Sequence, residues 1–386
     1  MSAPREHDNE CLLTTDGEIA AINLESARRR SWSRFFQDPL REGIAETVVE
    51  HEQLTAEFAG DVCAFDRLQY LINCLVDAGA TSMRTAMIQA QLASMTHRFA
   101  DARRLLARAA LARTQPDDVN RLLLNIDQAC GANLGSVIDG RRLAASNPGR
   151  LEDLVALGSL LADLREFDEA DRVYRQALQV YRDVSPFPLA RAYFQLGLLW
   201  GELVPEPRLG KAEGWYRKAI ACLPSFTRAR VHLAEICSSS GKPDQAEALL
   251  IPAVRSGDPE VLWRLADALV AQKRYAEAET QMDAARSGFE ALLNRHLVAF
   301  ADHGAAFYAG SGNNWRRALD LARVNVANRP TLRAFEQAHD IAISAGDAAA
   351  ASELLADAAL RWGSSPAFRS SHLAKDSSER RQGAAT

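Results

Sequence analysis

The sequence predicts an all-α protein, a stack of helical hairpins, and three observations carry that prediction. First, an alanine that opens the second helix of a pair recurs as Ala102, Ala170, Ala212, Ala246, Ala278, Ala318 and Ala351, with Ser136 filling a gap in the series. The intervals are 34, 34, 42, 34, 32, 40 and 33 residues. Second, a large residue follows four places later (Leu106, Tyr174, Tyr216, Leu250, Met282, Leu355) and a small one seven places later (Ala109, Ala177, Ala219, Ala253, Ala285, Ala358). Third, the preceding helix carries a large-small couple at its centre: Leu157-Gly158, Leu196-Gly197, Leu233-Ala234 and Leu265-Ala266. A small residue lets two helix backbones approach, and the large one beside it fills the groove. Neither helix buries its stripe alone, so each pair needs a neighbour.

Taken along the chain, residues 1–37 form a polar N-terminal segment whose basic run Arg28–Arg30 and Arg34 is interleaved with Trp32, Phe35 and Phe36. The expected arrangement is a helix with its rings packed on the next unit and its arginines in water. Residues 38–79 read as a capping hairpin over the open end of the array. Asp38-Pro39 supplies a helix start, Gly60-Asp61 a break, and Gly79 a C-terminal stop. Residues 80–150 are degenerate repeats: Ser136 and Gly140 replace the small and large residues, and Gly131, Gly135 and Gly140 each weaken a helix by about 1 kcal/mol relative to Ala. Residues 151–364 form the regular array. Its 42-residue interval holds extra linker at 183–188 and at Pro205-Glu206-Pro207, and its 40-residue interval holds extra chain near 288–295 and a turn at 311–314. Pro148, Pro224 and Pro330 stop the helices that precede them. Residues 365–386, rich in Ser, Arg, Lys and Gly, are expected to be a disordered tail.

The period and the residue pattern resemble the tetratricopeptide repeat family over residues 83–364, with the best matches at Leu154–Arg182 and Tyr193–Pro224. That resemblance implies a right-handed superhelix and a non-catalytic scaffold or adaptor that holds a protein or peptide partner in its concave groove. The family's groove positions fall here on Arg191, Phe194, Arg228, Glu235, Trp263, Asp267, His303 and Phe307. Trp and Arg among them are the residue types that most often anchor interfaces. One subclass of the family clamps a peptide carboxylate with Lys and Asn; those positions hold Val155 and Ser159 here, so that clamp is not expected. The alternative is an accessory subunit that presents a peptide substrate to a bacterial biosynthetic or modification enzyme.

Composition narrows the remaining classes. A net charge of −5 argues against non-specific nucleic-acid binding. The polar start Met1–Glu10 and the lack of a long apolar run predict neither signal peptide nor membrane span. Six cysteines without a C-x-x-C couple point to reduced thiols and a cytoplasmic location. No phosphate loop, dinucleotide fingerprint, nucleophile elbow or H-E-x-x-H is present, so neither catalysis nor a cofactor is expected. His296 and His303 lie seven apart and share a face only on an unbroken helix; a metal there would need further ligands such as His339, and none is assigned. Glu46, Glu50, His51 and Glu52 read as a solvated helix face. The exposed edges of a repeat array leave homo-oligomerisation open.

Overall fold

The computed structural model describes residues 14–80, 82–111, 116–146 and 150–376, and every regular element among them is helical. Cys11, Pro148, the side chain of Ala109 and residues 377–386 lie outside the described residues. Helices α1 (Gly17–Gln37), α2 (Ile44–Ala59) and α3 (Ala64–Asp77) come first, then the pairs α4 (Ser82–Met95) with α5 (Phe99–Leu111) and α6 (Pro116–Ala129) with α7 (Leu134–Ala145). The array follows as α8 (Leu151–Asp163) with α9 (Phe167–Val180), α10 (Pro186–Leu198) with α11 (Leu209–Cys222), and α12 (Thr227–Ser239) with α13 (Pro243–Leu250). It ends with α14 (Pro259–Ala271), α15 (Tyr275–Ala309), α16 (Trp315–Asn328), α17 (Leu332–Ser344), α18 (Ala348–Trp362) and the short α19 (Pro366–Arg369).

The small-large code does what its spacing implies. A methyl group on Gly158 would lie 2.6 Å from Cε1 of Tyr174, and one on Gly197 would lie 2.5 Å from Cδ1 of Tyr216. Each tyrosine ring therefore lies flat against bare backbone. All seven marker alanines are buried. In the degenerate unit the register differs from expectation: Ser136 is exposed, while Val137 and Arg141 are buried in the marker and large positions. A β-branched marker hides the repeat from a search for alanine.

The extra residues of the irregular intervals are also structured. After α10 a π turn at Leu199–Leu203 widens the hairpin, and the Trp200 indole donates to Asp171 Oδ1 at 2.7 Å. The extra chain near 288–295 prolongs a helix: α15 is 35 residues long and bends at His296, whose φ of −138° and ψ of 50° are non-helical. Its first part pairs with α14 and its second with α16. That bend removes the unbroken helix on which His296 and His303 would share a face. The expected disordered tail is partly ordered, because Ala367, Phe368 and Leu373 bury themselves with Trp362 in the last core cluster.

The N-terminal region departs most from the sequence reading. The segment 1–37 contains a full helix, α1, capped by Asp16, which accepts from the amides of Glu18 and Ile19. Asp38 ends this helix instead of starting the next, and α2 begins only at Ile44 after a left-handed Gly43. Trp32 and Phe35 are buried as expected, but Arg28 is not free in water. It pairs with Glu52, which is fully buried and also accepts from the Trp32 indole at 2.7 Å and from Arg67 at 2.6 Å. Of the residues expected on a solvated acidic face, Glu46 and Glu50 are exposed and His51 is half-buried, whereas Glu52 is the electrostatic centre of the N-terminal unit.

That unit does not cap the array's end. It folds back along the rim where the first helices of the repeats begin. Thr227 donates to the Ala59 carbonyl at 2.9 Å, and Phe58 packs between Phe187 and Phe226. Glu57 grips Arg191, Asp66 grips Arg295, and Phe65 meets Phe300 edge-on. Further along, Asn328 donates to the His97 carbonyl at 3.0 Å and Arg361 to that of Cys130 at 3.2 Å.

Two stability predictions follow from this packing. Gly197→Val would force the buried Tyr216 ring away, at a cost of the order of 1–3 kcal/mol or more, and thermal unfolding should shift down; an unchanged midpoint would contradict the tight contact. Glu52→Ala would leave the Trp32 indole without its acceptor and Arg28 and Arg67 with only Glu25 and Asp61 as partners, and urea unfolding should show a loss of about 1–3 kcal/mol, with Glu52→Gln losing less because it still accepts from Trp32.

Candidate functional site

The inner wall of the superhelix is built by the first helices of successive repeats, and it carries charge in alternation. Glu202 follows α10; Arg228, His232 and Glu235 lie on α12; Glu260, Arg264 and Asp267 lie on α14; His303 lies on the second part of α15; and Arg333, Glu336 and Asp340 lie on α17. Helical spacing of three and four places each set on one face.

The wall is wired across repeats. His232 Nδ1 lies 2.6 Å from Glu202 and 3.3 Å from Glu235, and Arg264 pairs with Glu235 and lies 3.7 Å from Glu260. His303 Nδ1 lies 3.3 Å from Glu260, while Ser311 donates to Asp267 at 2.6 Å. Arg333 reaches back to Glu202 at 3.2 Å, and Arg165, at the turn between α8 and α9, pairs with Glu336 on α17. The array therefore curls until its first and last repeats touch across the hollow. His303 keeps 44% of its side chain exposed, so this is a wet hollow and not a dry core.

These contacts set the protonation states. Burial opposes charging of His232, but the charge and hydrogen bond of Glu202, with Glu235, outweigh it and raise its pKa to about 9. His303 is also raised to about 9: burial again opposes, and Asp302 and Glu260 prevail. Burial would raise the Glu202 carboxyl, yet His232 and Arg333 hold it down at about 2. Asp258, half-buried beside Glu260, is pushed up to about 6 by desolvation and the Glu260 charge. At neutral pH the hollow thus holds two imidazolium groups among ionised carboxylates. Although Glu202, His232 and Glu235 converge, their partners Arg333 and Arg264 already supply positive charge, so this cluster is read as an ion-pair network.

Of the eight groove residues expected from the sequence, Arg228, Glu235, Asp267 and His303 line the hollow. The other four are engaged within the fold. Phe194, Trp263 and Phe307 are buried at 1%, 4% and 0% exposure. Phe194 packs on Tyr216, Phe226 and His232, and Phe307 stacks on Phe289 at 4.6 Å with Trp263 edge-on at 5.4 Å. Aromatic rings at these positions gain more from inter-repeat burial than a wet hollow offers. Arg191 is held by Glu57 of α2. Sequence reasoning missed His232 and Arg264. The signal was present, since each lies four residues after a chosen or neighbouring charge, Arg228 and Glu260. His296 faces Asp66 at 3.3 Å and the rings of Phe65 and Phe300, well apart in role from His303.

A pH dependence follows with a definite sign. Both imidazoles are raised on folding, from an ordinary value near 6.5 to about 9. The stability they contribute is complete below pH 6.5 and is lost as pH rises through about 9. In His232→Gln, the decline of the unfolding midpoint over that window should flatten; an unaltered slope would contradict the pairing.

Two tetratricopeptide-repeat family models match the chain, at residues 154–185 and 238–291. No curated protein matches it. Among solved structures, the chain is similar to one in the APC/C hetero-tetramer Cut9-Hcn1, at 16% identity over 87% of this chain and 63% of that one, with a TM-score of 0.43. It is also similar to yeast Tom70, at 14% identity over 88% of this chain and 92% of that one, with a TM-score of 0.31. The matched segments coincide with α8–α9 and with the run from the end of α12 into α15, so these helical hairpins are tetratricopeptide repeats.

Proposed function

We propose that this protein is a non-catalytic scaffold that holds an extended segment of a protein partner in its hollow. The observation that carries the reading is Arg228. Its guanidinium is exposed, lies 5.1 Å over the Phe194 ring, and has no ion-pair partner among the described residues, although acids surround it. Every other arginine named on the inner wall is paired. An unpaired arginine backed by an aromatic ring is a ready anchor for an acidic side chain or a carboxylate of a partner. Glu235, Asp267 and His303 flank it and fit a segment that carries both signs of charge.

The folded-back N-terminal unit favours an extended segment over a globular domain. It covers the rim at Arg191 and Thr227, which leaves a hollow and not an open groove. The five described cysteines form no disulfide, which fits a reducing compartment such as the cytoplasm. No helix among the described residues is long and apolar enough to cross a membrane.

The test is capture of partners from the native host by the tagged chain and its variants. Arg228→Glu should weaken capture at least about tenfold, the loss of roughly one charged anchor, with an unchanged circular dichroism spectrum. Trp263→Ala is a probe of the fold, and should instead lower stability by about 3–5 kcal/mol. Undiminished capture by Arg228→Glu would refute the anchor.

A further inference from the structure

We propose that the last repeat carries a structural zinc site formed by His339, Asp340, His372 and Asp376. His339 lies on α17 among core residues, with 2% of its side chain exposed, and neither of its ring nitrogens has a hydrogen-bond partner. A buried imidazole with no partner for either nitrogen loses the hydrogen bonds it would make in water. Its Nδ1 points toward two carboxylates, 3.7 Å from Asp340 Oδ1 and 3.9 Å from Asp376 Oδ2. His372 Nε2 lies 3.0 Å from the same Asp340 oxygen. Ligands at zinc distances of about 2.0–2.1 Å in a tetrahedron stand about 3.3 Å from one another. The ligand atoms of His339, Asp340 and His372 lie within 4.8 Å of one another, and Asp376, 3.9 Å from His339 Nδ1, completes the set by a side-chain movement.

The surroundings favour the assignment. The other nitrogen of His372, Nδ1, lies 3.5 Å from Glu336, the carboxylate–imidazole arrangement that orients and strengthens a zinc ligand. Among the described residues, no arginine is ion-paired with Asp340 or Asp376, in contrast to Glu202 and Glu235 in the hollow. Two nitrogens and two carboxylate oxygens suit Zn2+, and four protein ligands leave no position for substrate, so the role is structural. His339 and Asp340 belong to α17, whereas His372 and Asp376 follow α19. The ion would therefore clamp the C-terminal helical segment onto the end of the array, where Phe368 and Leu373 already pack.

The experiment titrates Zn2+ into the full-length, metal-stripped chain against a chromophoric chelator, and repeats it with Co2+. The expected result is one Zn2+ per chain, a rise in the thermal midpoint, and the visible absorption of tetrahedral Co2+. His372→Gln and Asp340→Asn alter exposed ligands and leave the core intact; each should lower affinity at least about tenfold, and Glu336→Gln, which changes a positioning residue, by about 10–100-fold or less. His296→Ala should change nothing. Absence of stoichiometric uptake, or uptake that both His372→Gln and Asp340→Asn leave untouched, would overturn the site.

Discussion

The contact between a bare helix backbone and a flat aromatic ring is the interaction on which the rest of this protein depends. Where Gly158 meets Tyr174 and Gly197 meets Tyr216, the two helices of a repeat close to a distance that no larger residue permits. That closeness sets the angle of each hairpin, and the angle, repeated, sets the curvature of the array. Curvature then brings Arg165 to Glu336 and Arg333 to Glu202, so a local packing rule is converted into a hollow closed by ion pairs between distant repeats. Solenoid stability is a sum over neighbours, but these cross-hollow pairs add links between repeats that are not adjacent.

A second consequence concerns what the concave face is made of. In a wide, open superhelix, aromatic residues on the first helices can be presented to a partner. Here the tight curvature and the close pairing of α14 with α15 draw Trp263 and Phe307 into the core, and charge remains on the inner wall. The wall is nearly self-neutral, each imidazole sitting between carboxylates that raise its pKa. On the proposed reading, a segment entering the hollow would exchange these contacts for its own, which favours selectivity over raw affinity. Among the described residues Arg228 is the exception on this wall, backed by the Phe194 ring and without an ion pair.

The N-terminal helices complete the picture. Glu52 organises them by collecting Arg28, Arg67 and Trp32 around one buried carboxylate. The unit so formed presents Glu57, Phe58 and Phe65 to the rim of the array. Gly60, with a φ of 68°, allows the chain to turn there, and its missing side chain leaves room for Thr227. A scaffold whose rim is lined by its own N-terminal unit offers a different surface from one with an open groove, although the repeats are the same.

The hairpin code was legible from the sequence because it is local: small and large residues at fixed helical spacing dictate which faces can touch, whatever lies elsewhere. The marker series from Ala102 to Ala351 therefore predicted the pairs, and failed only where Val137 replaced alanine. The sequence alone also determined the absence of the common catalytic motifs and the mixed charge of the first helices. Tertiary structure decided what depended on long-range closure. It buried Phe194, Trp263 and Phe307, since whether an aromatic on a first helix faces core or hollow depends on inter-repeat angle. It turned Glu52 from a surface charge into a buried centre, because its partners lie 24 and 15 residues away in sequence. It bent α15 at His296 and separated His296 from His303. And it brought His339 beside His372, two residues joined only when the chain after Gly363 folds back on the last repeat, a step that no helical period encodes.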